Sequence, residues 1–90
     1  MNIDYASLEA DLENGLFRQR LEEELVAGFR QIRAAGERLP VPSHYAAQIA
    51  EIVNRDVELA DDTKFYLYQE ILLACEQARA AVLGEVELPS

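Results

Sequence analysis

The chain has few of the residues on which most catalytic and metal sites depend. Its 90 residues include one cysteine, one histidine and no tryptophan. A single cysteine excludes an intramolecular disulfide and a multi-cysteine metal site. The four glycines form no glycine-rich phosphate loop, and there is no Glu-x-x-His pair for a metal centre in a helical bundle. The sequence therefore predicts neither a cofactor nor a metal.

Long uncharged apolar runs are also missing. No stretch approaches the roughly 20 residues that a membrane span requires, and the first residues lack the basic and apolar regions of a secretory signal. With 50% hydrophobic and 28% charged residues, the composition is that of a globular chain. We therefore expect one soluble, cytoplasmic domain without a membrane partner.

Positive charge is scarce, since 8 basic residues stand against 17 acidic ones and the formal net charge is −9. This sign repels nucleic acid and anionic lipid, so direct nucleic-acid binding is disfavoured. The acids concentrate in residues 1–15 and 39–62, each with a net charge of −4, whereas residues 16–38 are nearly balanced at +1. Seven of the eight bases are arginine, a usage compatible with a GC-rich bacterial or phage genome.

Apolar residues recur at spacings of three and four between the few prolines and glycines, which predicts an all-α fold. Four helices are expected, at about residues 4–14, 16–35, 44–58 and 63–83. They would form a small four-helix domain with short connections over residues 1–84, followed by a C-terminal tail at 85–90.

The first two helices are expected to be separate. The stripe of Tyr5, Leu8 and Leu12, continued straight at about 100° per residue, falls opposite the apolar stripe of helix 2. A straight rod would expose one of the two stripes. We therefore predict a turn or sharp kink at Asn14-Gly15.

Further residues mark helix ends and crossings. Gly36 is the predicted stop of helix 2, Ser43 the predicted cap of helix 3, and Asp61 or Asp62 the predicted cap of helix 4. Gly28 lies in the apolar stripe of helix 2, which predicts a close helix crossing, with a hinge as the alternative. The inward set of helix 3 is predicted to be Tyr45, Ile49, Ile52, Val53 and Val57.

Helix 4 is apolar on nearly all sides. Its main stripe is Leu67, Tyr68, Ile71, Leu72, Ala74, Cys75, Ala78 and Val82. Tyr66 and Leu73 fall on the far side, among Gln69, Glu70, Glu76 and Gln77. Such a helix is either central in its fold or meets a second partner. The far side is therefore a candidate surface for a homodimer or for another protein.

Acidic residues form a second candidate surface. Helix 1 carries Glu9, Asp11 and Glu13 without a base, and Asp61 and Asp62 mark the connection between helices 3 and 4. Carboxylates at regular spacing can imitate phosphates and occupy a basic groove on a partner. Solvation and helix capping explain the same residues, so both interpretations remain open.

The remaining charged and reactive residues favour structural roles. Arg18 and Arg20 are expected to pair with Glu22 and Glu24 four residues later. His44 is predicted to be a solvated residue at a helix start, with no general base nearby in the sequence. Cys75 is predicted to be a buried, inert thiol. We expect no enzymatic activity.

Small size, acidity and the two-faced last helix lead to a functional hypothesis. We expect a protein-protein interaction module, a small acidic inhibitor or regulator of the antitoxin, immunity-protein or phage-encoded blocker type. Its partner would be a larger protein with a basic surface. The alternative is a homodimeric structural or chaperone-like adaptor with helix 4 as the dimer seam.

Overall fold

The computed structural model describes residues 8–85, which form four α-helices and no strand. The helices are α1 (Leu8–Asn14), α2 (Leu16–Ala34), α3 (Pro42–Asp56) and α4 (Asp61–Leu83). The all-α class is therefore confirmed. The part of helix 1 predicted before Leu8, including Tyr5, and the tail from residue 86 onward lie outside the described residues.

The central helix is α4, because α2 and α3 both pack along it. Arg18, near the start of α2, pairs with Glu70 in the first half of α4, and Arg30 pairs with Glu85 just beyond its end. These contacts show that α2 and α4 run in the same direction. The short connection at 57–60 makes α3 antiparallel to α4. Most of the predicted inner stripe of α4 is buried, namely Leu67, Ile71, Ala74, Cys75, Ala78 and Val82.

Gly15 separates α1 from α2. It adopts the left-handed conformation at φ +76°, which costs residues with a Cβ about 1–2 kcal/mol. The change of direction allows Leu8 and Leu12 of α1 to be buried while the apolar stripe of α2 is buried as well, namely Phe17, Leu21, Leu25 and Phe29. The turn predicted at this position is confirmed. Its physical reason is the predicted one, because the turn leaves neither apolar stripe in solvent.

The end of α2 is a Schellman motif. Gly36 has φ +79°, its N–H donates to the Arg33 carbonyl at 3.0 Å, and the Glu37 N–H donates to the Ile32 carbonyl at 3.1 Å. Both bonds satisfy carbonyl groups that have no partner further along the helix. The predicted stop at Gly36 is confirmed.

Two predicted helix caps are wrong. The helix α3 begins at Pro42, with Val41 in the cap position, so Ser43 lies inside the first turn. Proline suits this first position because its φ is already helical and its missing N–H would have no partner there. The helix α4 begins at Asp61, so Asp61 and Asp62 lie in its first turn and do not cap it. Their charges still interact favourably with the helix dipole.

The buried face of α3 differs from the predicted one. Ile52 is 50% exposed, although it was expected to face inward. The buried residues are Ala46, Ile49, Ala50 and Val53. Two of these residues are alanines, whose small side chains lie on the face packed against α4. Ile52 falls about 110° away from the centre of this face. Tyr45 is partly buried as expected, and its ring meets that of Phe29 edge-on, with centroids 5.7 Å apart.

The close helix crossing predicted at Gly28 is wrong. A Cβ atom placed on Gly28 would meet no atom within 4 Å. The residue lies in the apolar stripe of α2, but none of the other helices within residues 8–85 approaches its backbone. Gly28 therefore interrupts a favourable helical sequence without a packing reason.

Candidate interaction surfaces

The two acidic segments of the sequence meet in one cleft. Between α1 and the start of α4 lies a depression of about 290 Å³. We call it the acidic cleft, and its lining residues are Glu9, Leu12, Glu13, Asp62, Thr63 and Tyr66. Three of these residues are carboxylates and none is basic. A cleft lined by one sign of charge focuses the electrostatic field and attracts groups of opposite charge.

Tyr66 forms one wall of the acidic cleft and is 41% exposed. Its hydroxyl donates to the Leu12 carbonyl at 3.3 Å, which joins α4 to α1. The Glu70 carboxylate, one turn later, raises the pKa of the Tyr66 hydroxyl, first as a hydrogen-bond acceptor and then through its charge. A tyrosine hydroxyl has one proton, so the two acceptors compete for it. Tyr66 is therefore a protonated donor at neutral pH.

Glu70 is buried, although the sequence predicted that it would lie among exposed polar residues. It is only 8% exposed, because α2 covers this side of α4. Its Oε2 atom lies 3.5 Å from Nε of Arg18. Arg18 therefore pairs across the helices and not with Glu22, as the four-residue spacing had predicted. Burying one carboxylate without this counter-charge would be costly.

Asp11 also has a role that the sequence did not indicate. Its Oδ2 atom lies 3.4 Å from Nη1 of Arg20, and its side chain is 14% exposed. This pair joins α1 to α2, so the predicted pairing of Arg20 with Glu24 is wrong. Asp61 is exposed in the first turn of α4 but does not line the acidic cleft. The structure thus brings together Glu9, Glu13 and Asp62, and leaves Asp11 and Asp61 outside.

Tyr66 and Leu73, the expected apolar patch, are both exposed and lie about 20° apart around α4. Tyr66 belongs to the acidic cleft, whereas Leu73 is 39% exposed further along α4. Gln77 lines a separate groove of about 650 Å³ that runs mainly along α2. Phe65 is 65% exposed and was not singled out by the sequence. The sequence could have indicated Phe65, because it is a large apolar residue outside the main stripe of helix 4.

The two residues considered for catalysis lie in different surroundings. Cys75 is fully buried, and burial, together with the charge of Glu76, raises the pKa of its thiol to about 11. A thiol of this kind is protonated and inaccessible at neutral pH. His44 is exposed in the first turn of α3. Within residues 8–85, no three histidine, cysteine or carboxylate side chains are placed to hold a metal ion.

Comparison of the chain with protein-family models, curated proteins and solved structures found no match. No helix in the described part of the chain combines the length and apolarity that a membrane crossing requires. The acidic cleft and the exposed residues of α4 are the features of the described residues that bear on function.

Proposed function

We propose that this protein is a non-enzymatic interaction module, a small acidic inhibitor or regulator of the antitoxin, immunity-protein or phage-encoded blocker type. It docks through the acidic cleft on a basic surface of a larger cytoplasmic protein. The observation that supports this proposal is the convergence of Glu9, Glu13 and Asp62 beside Tyr66, from two segments far apart in the sequence. The proposal involves no cofactor, no metal and no direct contact with nucleic acid.

The chemistry of the acidic cleft suits an arginine or lysine side chain of the partner. A guanidinium forms strong, charge-assisted hydrogen bonds with carboxylates. The exposed ring of Tyr66 offers a face on which the same cation can stack. Attraction between opposite charges also speeds the encounter of the two proteins.

Charge-reversal variants test the proposal. The cleft variant replaces Glu9, Glu13 and Asp62 by lysine. The control variant makes the same change in net charge on exposed residues of α2 and its connector, Glu23, Glu24 and Glu37. Each protein and the wild type are used as bait in extracts of the native host, and the captured proteins are quantified by mass spectrometry. Affinity for the purified partner is then measured for all three.

The acidic-cleft proposal requires the two variants to differ. We expect the cleft variant to lose about tenfold or more in affinity, a loss of about 1.4 kcal/mol or more, while the control keeps most of its binding. An equal loss in both variants would show that only net charge matters. Full retention in the cleft variant would contradict the proposal.

A homodimeric structural or chaperone-like adaptor is the second candidate. The exposed apolar residues of α4, above all Phe65 and Leu73, favour it. In that case acidity serves solubility, and the charge reversals leave partner binding unchanged while apolar substitutions on α4 abolish it.

A further inference from the structure

The side of α4 that faces away from α2 and α3 carries exposed apolar residues. Eight residues fall within about 100° of the helix surface on this side, and one of them, Asp62, also lines the acidic cleft. We call the other seven the outer face of α4: Phe65, Gln69, Leu72, Leu73, Glu76, Ala80 and Leu83. Phe65 is 65% exposed and Leu83 is 49% exposed, and they stand near opposite ends of the helix.

We propose that the outer face of α4 binds the same face of a second copy of this chain, with the two α4 helices antiparallel. Phe65 and Leu83 lie nine residues before and after Ala74. A twofold axis at the level of Ala74 therefore sets Phe65 of each copy against Leu83 of the other. Leu72 and Leu73 lie near the axis and supply its apolar centre.

The charge distribution favours the antiparallel direction. The acidic cleft and Asp61 lie at the start of α4. At its other end, Arg33 donates to the Val82 carbonyl and Arg30 pairs with Glu85. Antiparallel pairing places each acidic end beside the arginine-bearing end of the other copy. Parallel pairing would place two acidic ends together, which is unfavourable.

The area of the outer face of α4 determines how tightly two copies are expected to bind. With 23 residues, α4 is about 34 Å long and, with side chains, about 10–12 Å wide. This corresponds to roughly 400 Å² per copy, about half of the 800 Å² per partner that a standard interface buries. We therefore expect a weak dimer whose population depends on protein concentration.

Light scattering on the full-length protein, from about 1 µM to about 1 mM, tests the dimer. The wild type should pass from monomer to dimer over this range. The double variant Phe65→Glu, Leu83→Glu should remain monomeric with unchanged helical circular dichroism. Ile52→Glu is the matched control, because Ile52 is similarly exposed but lies on α3. A monomeric wild type at the highest concentration, or a double variant that dimerises normally, would overturn the proposal.

Cysteine cross-linking tests the direction independently of any effect on folding. Phe65→Cys and Leu83→Cys proteins are mixed and oxidised, while the native Cys75 is buried. The antiparallel arrangement predicts disulfides between the two different variants. Disulfides formed mainly between identical variants would overturn it. Charge reversal in the acidic cleft should weaken but not abolish this dimer, so the outcome can be separated from that of the partner-binding experiment.

Discussion

Replacing Gly28 by alanine is expected to stabilise the fold. Gly28 lies in the interior of α2, does not have a positive φ, and has no atom within 4 Å of the position that a Cβ would take. The added methyl group therefore displaces nothing. Alanine is favoured over glycine in a helix interior by about 1 kcal/mol, and for a domain of this size that corresponds to a rise in Tm of about 4–8 °C.

Gly15→Ala provides the control for this measurement. Gly15 also has open space where a Cβ would lie, but its φ is +76°. Alanine at this position is expected to cost about 1–2 kcal/mol, because the left-handed conformation brings its Cβ too close to the following carbonyl. The Tm measured by circular dichroism should therefore rise for Gly28→Ala and fall for Gly15→Ala. A fall in Tm for Gly28→Ala would refute the reasoning and restore the close helix crossing.

Two further predictions concern titrating groups. Glu70→Gln should lower the pKa of Tyr66 toward 10.0, because a neutral amide is a weaker hydrogen-bond acceptor than the carboxylate and carries no charge; absorbance titration against Tyr66→Phe measures this, and an unchanged pKa would contradict the interaction. The pKa of Tyr66 is higher in the folded protein than in the unfolded chain. The contribution of Tyr66 to folding stability is therefore present below about pH 10 and is lost as the pH rises through the folded pKa. The thiol pKa of Cys75, raised from 9.0 to about 11, lowers its thiolate fraction roughly 100-fold at pH about 8. Native protein should react with a thiol reagent only on unfolding, and prompt reaction would refute its burial.

Helical periodicity accounts for the parts of the fold that were predicted correctly. Each residue advances about 100° around a helix, so the sequence alone indicates which side chains share a face. The break at Gly15 and the buried stripe around Cys75 follow from this geometry. Helix starts were predicted less well, because capping preferences are worth only about 1 kcal/mol. The helix α3 therefore begins at Pro42, one residue before the cap predicted at Ser43.

Contacts between helices explain what the sequence could not show in the candidate site. Local spacing indicates pairs four residues apart, which contribute only tenths of a kcal/mol. The pairs of Arg18 with Glu70 and of Arg20 with Asp11 depend instead on how the helices pack. The acidic cleft depends in the same way on the direction that α1 takes before Gly15. The sequence indicated two acidic segments, and the fold places them side by side.

The salt dependence of the association rate tests the central proposal most directly. The purified partner is mixed with wild type and with the Glu9, Glu13, Asp62 to lysine variant in stopped flow, at about 0.1 M and about 1 M salt, between which the Debye length falls from about 10 Å to about 3 Å. We expect the wild-type rate to fall about tenfold or more, and the variant to be slow at both concentrations. Docking through the acidic cleft would be contradicted if the wild-type association rate were the same at both salt concentrations and equal to the rate of the variant.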